Sequence, residues 1–204
     1  MMQEGSIDMR FKMMVGLSLL IVLAACGKNY DIETNMSEEM EEFSFTDQNG
    51  DSFGLDDLKG KWWVADLVFT NCTTVCLPMT TNMSSLQDSL NEEGIDAELV
   101  SFSVDPENDT PEVLKDYAKE YGADESNWHF LTGYEFHKIK EISVKSFRQL
   151  LQEAPEGSDQ VTHGITFILV DPDGEVIKSY NGSKMSEMED IVDDLKIVTD
   201  TDNG

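Results

Sequence analysis

Two cysteines stand three residues apart in the run Phe69-Thr-Asn-Cys-Thr-Thr-Val-Cys-Leu-Pro78, and a third, Cys26, stands alone near the N-terminus. Thiolates are nucleophiles and soft metal ligands, so Cys72 and Cys76 can form a reversible disulfide or share one soft ion such as copper(I) or zinc. Their bridge would close a very short loop and constrain the unfolded chain little, so a purely structural disulfide there would stabilise weakly. A redox or metal site is the better reading. One imidazole joins the candidates, His163 in Val161-Thr-His-Gly-Ile165. Two thiolates and an imidazole make a three-coordinate site suited to copper, and also to zinc. Asp105, in Asp105-Pro-Glu-Asn-Asp-Thr-Pro111, could orient His163 or a bound water as outer carboxylates do, or it simply opens a helix-initiating turn. Both readings of Asp105 stand.

Positioning these groups falls to the flanking elements. Trp62 to Phe69 is an unbroken apolar, aromatic and β-branched run, which reads as a buried strand. After Pro78, a residue suited to a first helical turn, Met79, Met83, Leu86 and Leu90 fall on one helical face. The thiols therefore sit between the end of a strand and the start of a helix, where the helix terminus favours their ionisation. At this spacing Met79 and Met83 read as core, as do Trp62 and Trp63, while His129 and His137 read as structural.

The rest of the chain supplies a frame for that loop. Phe43 to Thr46 and Ser52 to Leu55 form a hairpin across Asp47-Gln-Asn-Gly50, with a helical turn to Leu58. Glu98 to Val104 is a second buried strand, followed by a helix capped by Thr110 with Pro111 at its first position and ended by Gly122. His129 to Gly133 is a short strand and turn, Phe136 to Leu151 a helix, and Ala154 to Gln160 a polar loop. Ile165 to Val170 and Val176 to Tyr180 make a hairpin, and Met185 to Leu195 the last helix. This order is that of a thioredoxin-like α/β fold, a central mixed sheet flanked by helices, with an N-terminal β-hairpin extension. The two crossover helices require parallel central strands. Sites in such sheets lie beyond the carboxyl ends of the strands, which selects the cysteine loop and places the start of the closing hairpin, with His163, beside it.

Arg10 and Lys12 precede an apolar segment, Met13 to Ala25, of signal-peptide length and too short to span a bilayer comfortably. It ends Leu23-Ala-Ala-Cys-Gly27, which resembles the lipobox of bacterial lipoproteins. The resemblance implies cleavage before Cys26 and lipid on that cysteine; left uncleaved, the segment would be an anchor. Either outcome puts the domain outside the cytoplasm, on the outer face of the cell membrane. The expected divisions are a signal peptide (1–25), a lipidated N-terminus and flexible acidic linker (26–42), the globular domain (43–198) and a polar tail (199–204).

The formal net charge is −27, and residues 1–25 hold two acids and two bases, so all of the excess lies beyond them. Such a surface argues against nucleic acid or anionic lipid as a partner. A salty habitat and a basic partner each explain it. About 160 residues remain once signal and linker are set aside, enough for one well-formed core. A thiol peroxidase on the same fold would need an arginine beside its cysteine. Arg148 is the only arginine after Cys26, and it reads as lying on a distant helix.

Phe69-Thr-Asn-Cys-Thr-Thr-Val-Cys76, Asp105-Pro-Glu-Asn-Asp-Thr-Pro111, Trp128-His-Phe-Leu-Thr-Gly133, and His163 with Asp171-Pro-Asp-Gly174 together resemble the Sco (SenC) family in its bacterial lipoprotein form, from about Phe43 to Leu195. The resemblance implies a copper chaperone for assembly of the dinuclear copper centre of cytochrome c oxidase subunit II. Its copper, as Cu(I) or Cu(II), would be held by Cys72, Cys76 and His163, with Asp105 as the acidic residue of the Asp-Pro motif. The same cysteines would form a redox-active disulfide, served by a thiol reductant or copper donor outside the cytoplasm. One dithiol also supports a second role, reduction of the subunit II cysteines without copper delivery. Two departures stand out: Leu77 separates Cys76 from Pro78 where the family usually has proline at once, and Thr162 stands where an acidic residue often precedes the histidine.

Overall fold

The computed structural model describes residues 28, 30–71, 76–158 and 160–202, with backbone alone for 76, 77, 201 and 202. The segment read as signal peptide and lipobox, with Cys26, and the whole of Cys72 lie outside the described residues.

The architecture follows from two strands with no exposed face. Strand β4 (Trp62–Val68) and strand β5 (Ala97–Ser103) are buried at every position, as parallel strands covered on both sides must be. They pair in parallel from Trp62 opposite Ala97 to Val68 opposite Ser103. The crossover between them is helix α2 (Cys76–Glu93), so Pro78 falls in the first turn, where its missing N–H leaves no bond unmade. Helix α3 (Pro111–Glu120), whose first turn is capped by the Thr110 hydroxyl, carries the chain to β6 (Trp128–Leu131), parallel to β5. On the other side of β4, β9 (Thr166–Val170) runs antiparallel and turns back into β10 (Glu175–Asn181). Asp171 closes that turn, its Oδ1 accepting the N–H groups of Asp173 and Glu175.

The sheet is completed by β1 (Glu38–Glu39), antiparallel to β10, giving the order β1-β10-β9-β4-β5-β6. Helix α5 (Ser186–Asp202) packs with α2, and α2 bonds α3 through Thr80 Oγ1 and the Tyr117 hydroxyl, 2.7 Å apart. On the opposite face lie the N-terminal hairpin, β2 (Ser44–Thr46) with β3 (Ser52–Gly54), the single-turn helix α1 (Leu55–Leu58), and helix α4 (Phe136–Lys145). Phe43, Phe53, Leu58, Trp63, Phe102, Ile139 and Phe147 form the core beneath them. The mixed sheet, its flanking helices and the hairpin extension are those expected. Trp62, Trp63, Met79 and Met83 are core.

Three expectations are corrected. The segment read as a flexible linker is ordered from Asn35: the N–H groups of Asn35 and Met36 share the Ile177 carbonyl, and Met40 is buried. An edge strand leaves a row of N–H and C=O groups unpaired, and this acidic stretch covers that row on β10. The helix expected to reach Leu151 ends at Lys145, because Arg148 adopts φ 54° and the Ser143 hydroxyl donates to the Gln149 carbonyl. The released chain forms β7 (Leu151–Gln152), paired with β8 (Thr162–His163). The tail from residue 199 continues α5 to Asp202, with the Thr199 hydroxyl bonded back to the Leu195 carbonyl.

Candidate metal and redox site

Strand β4 hands its chain through Phe69, Thr70 and Asn71 into the cysteine loop, and α2 opens at Cys76. The loop thus leaves the carboxyl end of a central parallel strand and re-enters at a helix N-terminus, the arrangement that favours a thiolate or a bound ion.

His163 comes to the same place from the far side of the sheet. Its ring stands edge-on to Phe69, centroids 5.8 Å apart and planes at 84°, and Phe69 is buried three residues before Cys72. The His163 Nδ1–H donates to the Gly164 carbonyl at 2.7 Å, which leaves the lone pair on Nε2. Burial lowers its pKa and the Gly164 bond opposes this, so the imidazole favours the neutral, ligating form. Among the described residues no three His, Cys, Asp or Glu side chains cluster as a metal site, and the two candidate thiols are not among them.

The seat of His163 is built by residues that local sequence patterns do not announce. The left-handed Arg148 aims Gln149 beneath β8, and the buried Gln149 side chain fills the space where a Cβ on Gly164 would stand. Gly164 is therefore required by a neighbour, since its own φ is not in the left-handed region. Gln160 reaches across to donate to the Asn71 carbonyl at 3.1 Å. The Ile165 carbonyl accepts the Gly182 N–H, and the Gly182 carbonyl accepts from Asn82 of α2. Residues beside His163 are thus tied both to the root of the cysteine loop and to the helix that ends it.

Asp105 lies at the carboxyl end of β5, as expected, but its carboxylate accepts from Asn108 Nδ2 at 2.9 and 3.0 Å within its own turn. The carboxylate that reaches the cysteine loop is Asp109, which sequence reasoning passed over. It is buried, and it accepts from the hydroxyls of Thr70 and Ser103, each at 2.6 Å, and from the Thr70 N–H at 3.3 Å. Burial pushes its pKa up, and the Ser103 and Thr70 bonds oppose that push. Its place four residues after Asp105, within the Asp-Pro motif, was its only sequence signal. His129 pairs with Glu98 and stacks on Phe53, and His137 is exposed on α4; neither approaches the described part of the site. Of the two departures, Thr162 is exposed on β8 opposite Gln152, and the Leu77 side chain is not described.

The family model SCO1/SenC matches residues 32–200. The chain belongs to the SCO1/SenC family. Among solved structures, a SCO1/SenC family lipoprotein from Bacillus anthracis is 48% identical, with 79% of this chain and 95% of that one covered and a TM-score of 0.76. BsSco, a member of the Sco family of cytochrome c oxidase assembly proteins in which a disulfide switch has been identified, is 46% identical over 82% of this chain and 98% of its own, with a TM-score of 0.74. The copper-bound ScoI of Bradyrhizobium japonicum is 26% identical, covers 78% of this chain and 99% of its own, and has a TM-score of 0.66.

Proposed function

We propose that this Sco protein is a membrane-tethered, extracytoplasmic copper metallochaperone with a redox-active CxxxC, acting in assembly of the dinuclear copper centre of cytochrome c oxidase. The observation that carries the reading is the placement of His163, its Nδ1 anchored on the Gly164 carbonyl, against Phe69 at the root of the cysteine loop. Cys72, Cys76 and His163 would hold copper as cargo, since two thiolates and an imidazole suit that ion. The copper-bound relative supports the metal, and the relative described as an oxidase assembly protein supports the oxidase as receiver, for which subunit II is the reading. Lipid on Cys26 would tether the domain to the outer face of the membrane, a reading supported by the lipobox and by the lipoprotein relative. A copper donor or thiol reductant outside the cytoplasm would serve the site.

A second reading is favoured by the position of Cys76 at the first residue of α2. A thiol at a helix N-terminus ionises readily and suits thiol–disulfide exchange, so the same pair would reduce the cysteines of subunit II without delivering copper. Thiol peroxidase chemistry gains no support: the Arg148 guanidinium pairs with Glu38 on β1, at 2.8 and 3.0 Å.

An anaerobic copper titration of the reduced full-length chain in detergent, beside His163→Ala, separates the readings. A one-to-one thiolate-to-copper(II) charge-transfer band that weakens in the variant is the expected result. No band together with no copper retained after gel filtration would sink copper binding and leave the oxidoreductase.

A further inference from the structure

The entry of the cysteine loop is held at Thr70 by one buried carboxylate. Asp109 is 1% exposed. Its Oδ1 accepts both the hydroxyl and the N–H of Thr70, two residues before Cys72, while its Oδ2 accepts the hydroxyl of Ser103, the last residue of β5. The ladder between β4 and β5 runs out beside it, where the Val104 N–H meets the Val68 carbonyl at 2.8 Å. Beyond that bond the chain of β4 would leave the sheet unsupported. Asp109 supplies the missing rung with a side chain, and the Asp105 carbonyl fixes it in turn by accepting its N–H at 2.9 Å. A merely local role, the start of α3, is already filled by Thr110, whose hydroxyl caps the first turn. Charge-assisted bonds in a dry setting are worth more than neutral ones, and losing one partner leaves the other unsatisfied.

We propose that Asp109 is a positioning residue for the Cys72–Cys76 pair: by clamping Thr70 to the end of β5 it fixes the entry of the loop and so the approach of the two thiols. The inference rests on the reading of these cysteines as the working pair. A held loop keeps the thiols at high effective concentration, which favours the disulfide. Loosening the entry makes the bridge easier to reduce.

The test uses the full-length chain in detergent as wild type, Asp109→Asn, Thr70→Val, Thr70→Ser and Thr110→Ala. The protein dithiol is equilibrated with oxidised glutathione, giving protein disulfide and two reduced glutathiones, and amide exchange is followed over residues 69–71. Asp109→Asn is expected to lower the equilibrium constant for bridge formation about tenfold, about 30 mV for a two-electron couple. Thr70→Val should move it the same way by less, Thr70→Ser should restore it, and both the Asp109→Asn and Thr70→Val variants should speed exchange at residues 69–71. Thr110→Ala, which removes only the α3 cap, should shift the denaturation midpoint and leave the equilibrium alone. The proposal is overturned if Asp109→Asn and Thr70→Val leave the bridging equilibrium at its wild-type value, whatever the exchange, or if Thr110→Ala moves the equilibrium as far. If Asp109→Asn does not fold, the Thr70 pair decides. Absence of any bound copper in the wild type would end the metallochaperone reading but not this one, which the glutathione equilibrium and amide exchange test without metal.

Discussion

The ring of Phe69 receives the imidazole of His163 edge to face, at 84° and 5.8 Å between centroids. The contact joins two residues far apart in sequence at the point where a central strand gives way to the cysteine loop. Phe69 is fully buried, so Phe69→Ala should destabilise the domain by about 3–5 kcal/mol through the cavity it leaves. Phe69→Leu keeps most of the volume and removes the flat partner. The leucine variant should fold and yet bind copper more weakly, with an altered charge-transfer band. Identical titration curves for Phe69→Leu and the wild type would show that the ring contact does not orient His163.

Gly164 tests the other support of that imidazole. A Cβ there would run into the Gln149 side-chain oxygen and would lie 2.6 Å from Gln149 Cδ and 2.9 Å from its Cβ. Gly164→Ala should therefore displace either Gln149 or the His163 peptide and weaken copper binding. Adding Gln149→Ala removes the first two clashes and leaves the third, so the double variant should recover part of the loss, not all of it. A double-mutant cycle on denaturation midpoints and copper affinity reads this coupling directly. Additive losses would mean that the two residues do not compete for the same space.

Much of the frame was legible because its signals are contiguous. The unbroken apolar run into Phe69, the thiol spacing and the helical face after Pro78 each state a local rule, and together they place the loop between β4 and α2. His163 was legible only through the order of elements, which brings its strand to that edge. Asp109 was hidden because its partner Thr70 is 39 residues away, while the Asp-Pro turn and the Thr110 cap offered a local account of the same stretch. The early end of α4 was hidden too, since an arginine at positive φ has no signature in sequence. Composition made the segment before Phe43 look unstructured, because main-chain pairing along β10 leaves no mark on residue type.

That edge can be probed through Asn35. Its Oδ1 accepts the Ser179 N–H at 2.8 Å and its Nδ2 donates to the Ser179 carbonyl at 3.1 Å, imitating a further pair of ladder bonds on β10. Asn35→Ala should cost about 1 kcal/mol, the usual size for exposed hydrogen bonds of this kind, and leave copper binding unchanged. Amide exchange should quicken at Ser179 and along the outer edge of β10 before any change in the centre of the sheet. Unchanged exchange at Ser179 would show that these bonds do not hold the edge.

Asp66 gives the domain a pH dependence of unusual sign. It sits in the middle of β4 at 1% exposure, its Oδ1 has no hydrogen-bond partner among the described residues, and Ser101, itself bonded by the Trp128 indole N–H, serves the carboxyl group. Burial pushes its pKa from an ordinary value near 3.8 up to about 7, against the pull of the Ser101 bond. In the unfolded chain the group ionises near its ordinary value, so between that pH and about 7 ionisation favours the unfolded state alone. Stability from this group is therefore whole below about pH 4, falls as pH rises to about 7, and is level beyond, a loss of roughly 4 kcal/mol in all. Asp66→Asn removes the titration. Urea midpoints at pH 4, 6 and 8 should show the variant gaining on the wild type across that window and holding its advantage above it. An equal difference at pH 4 and pH 8 would mean that Asp66 stays ionised in the folded protein, with a counter-charge that the buried strand does not otherwise require.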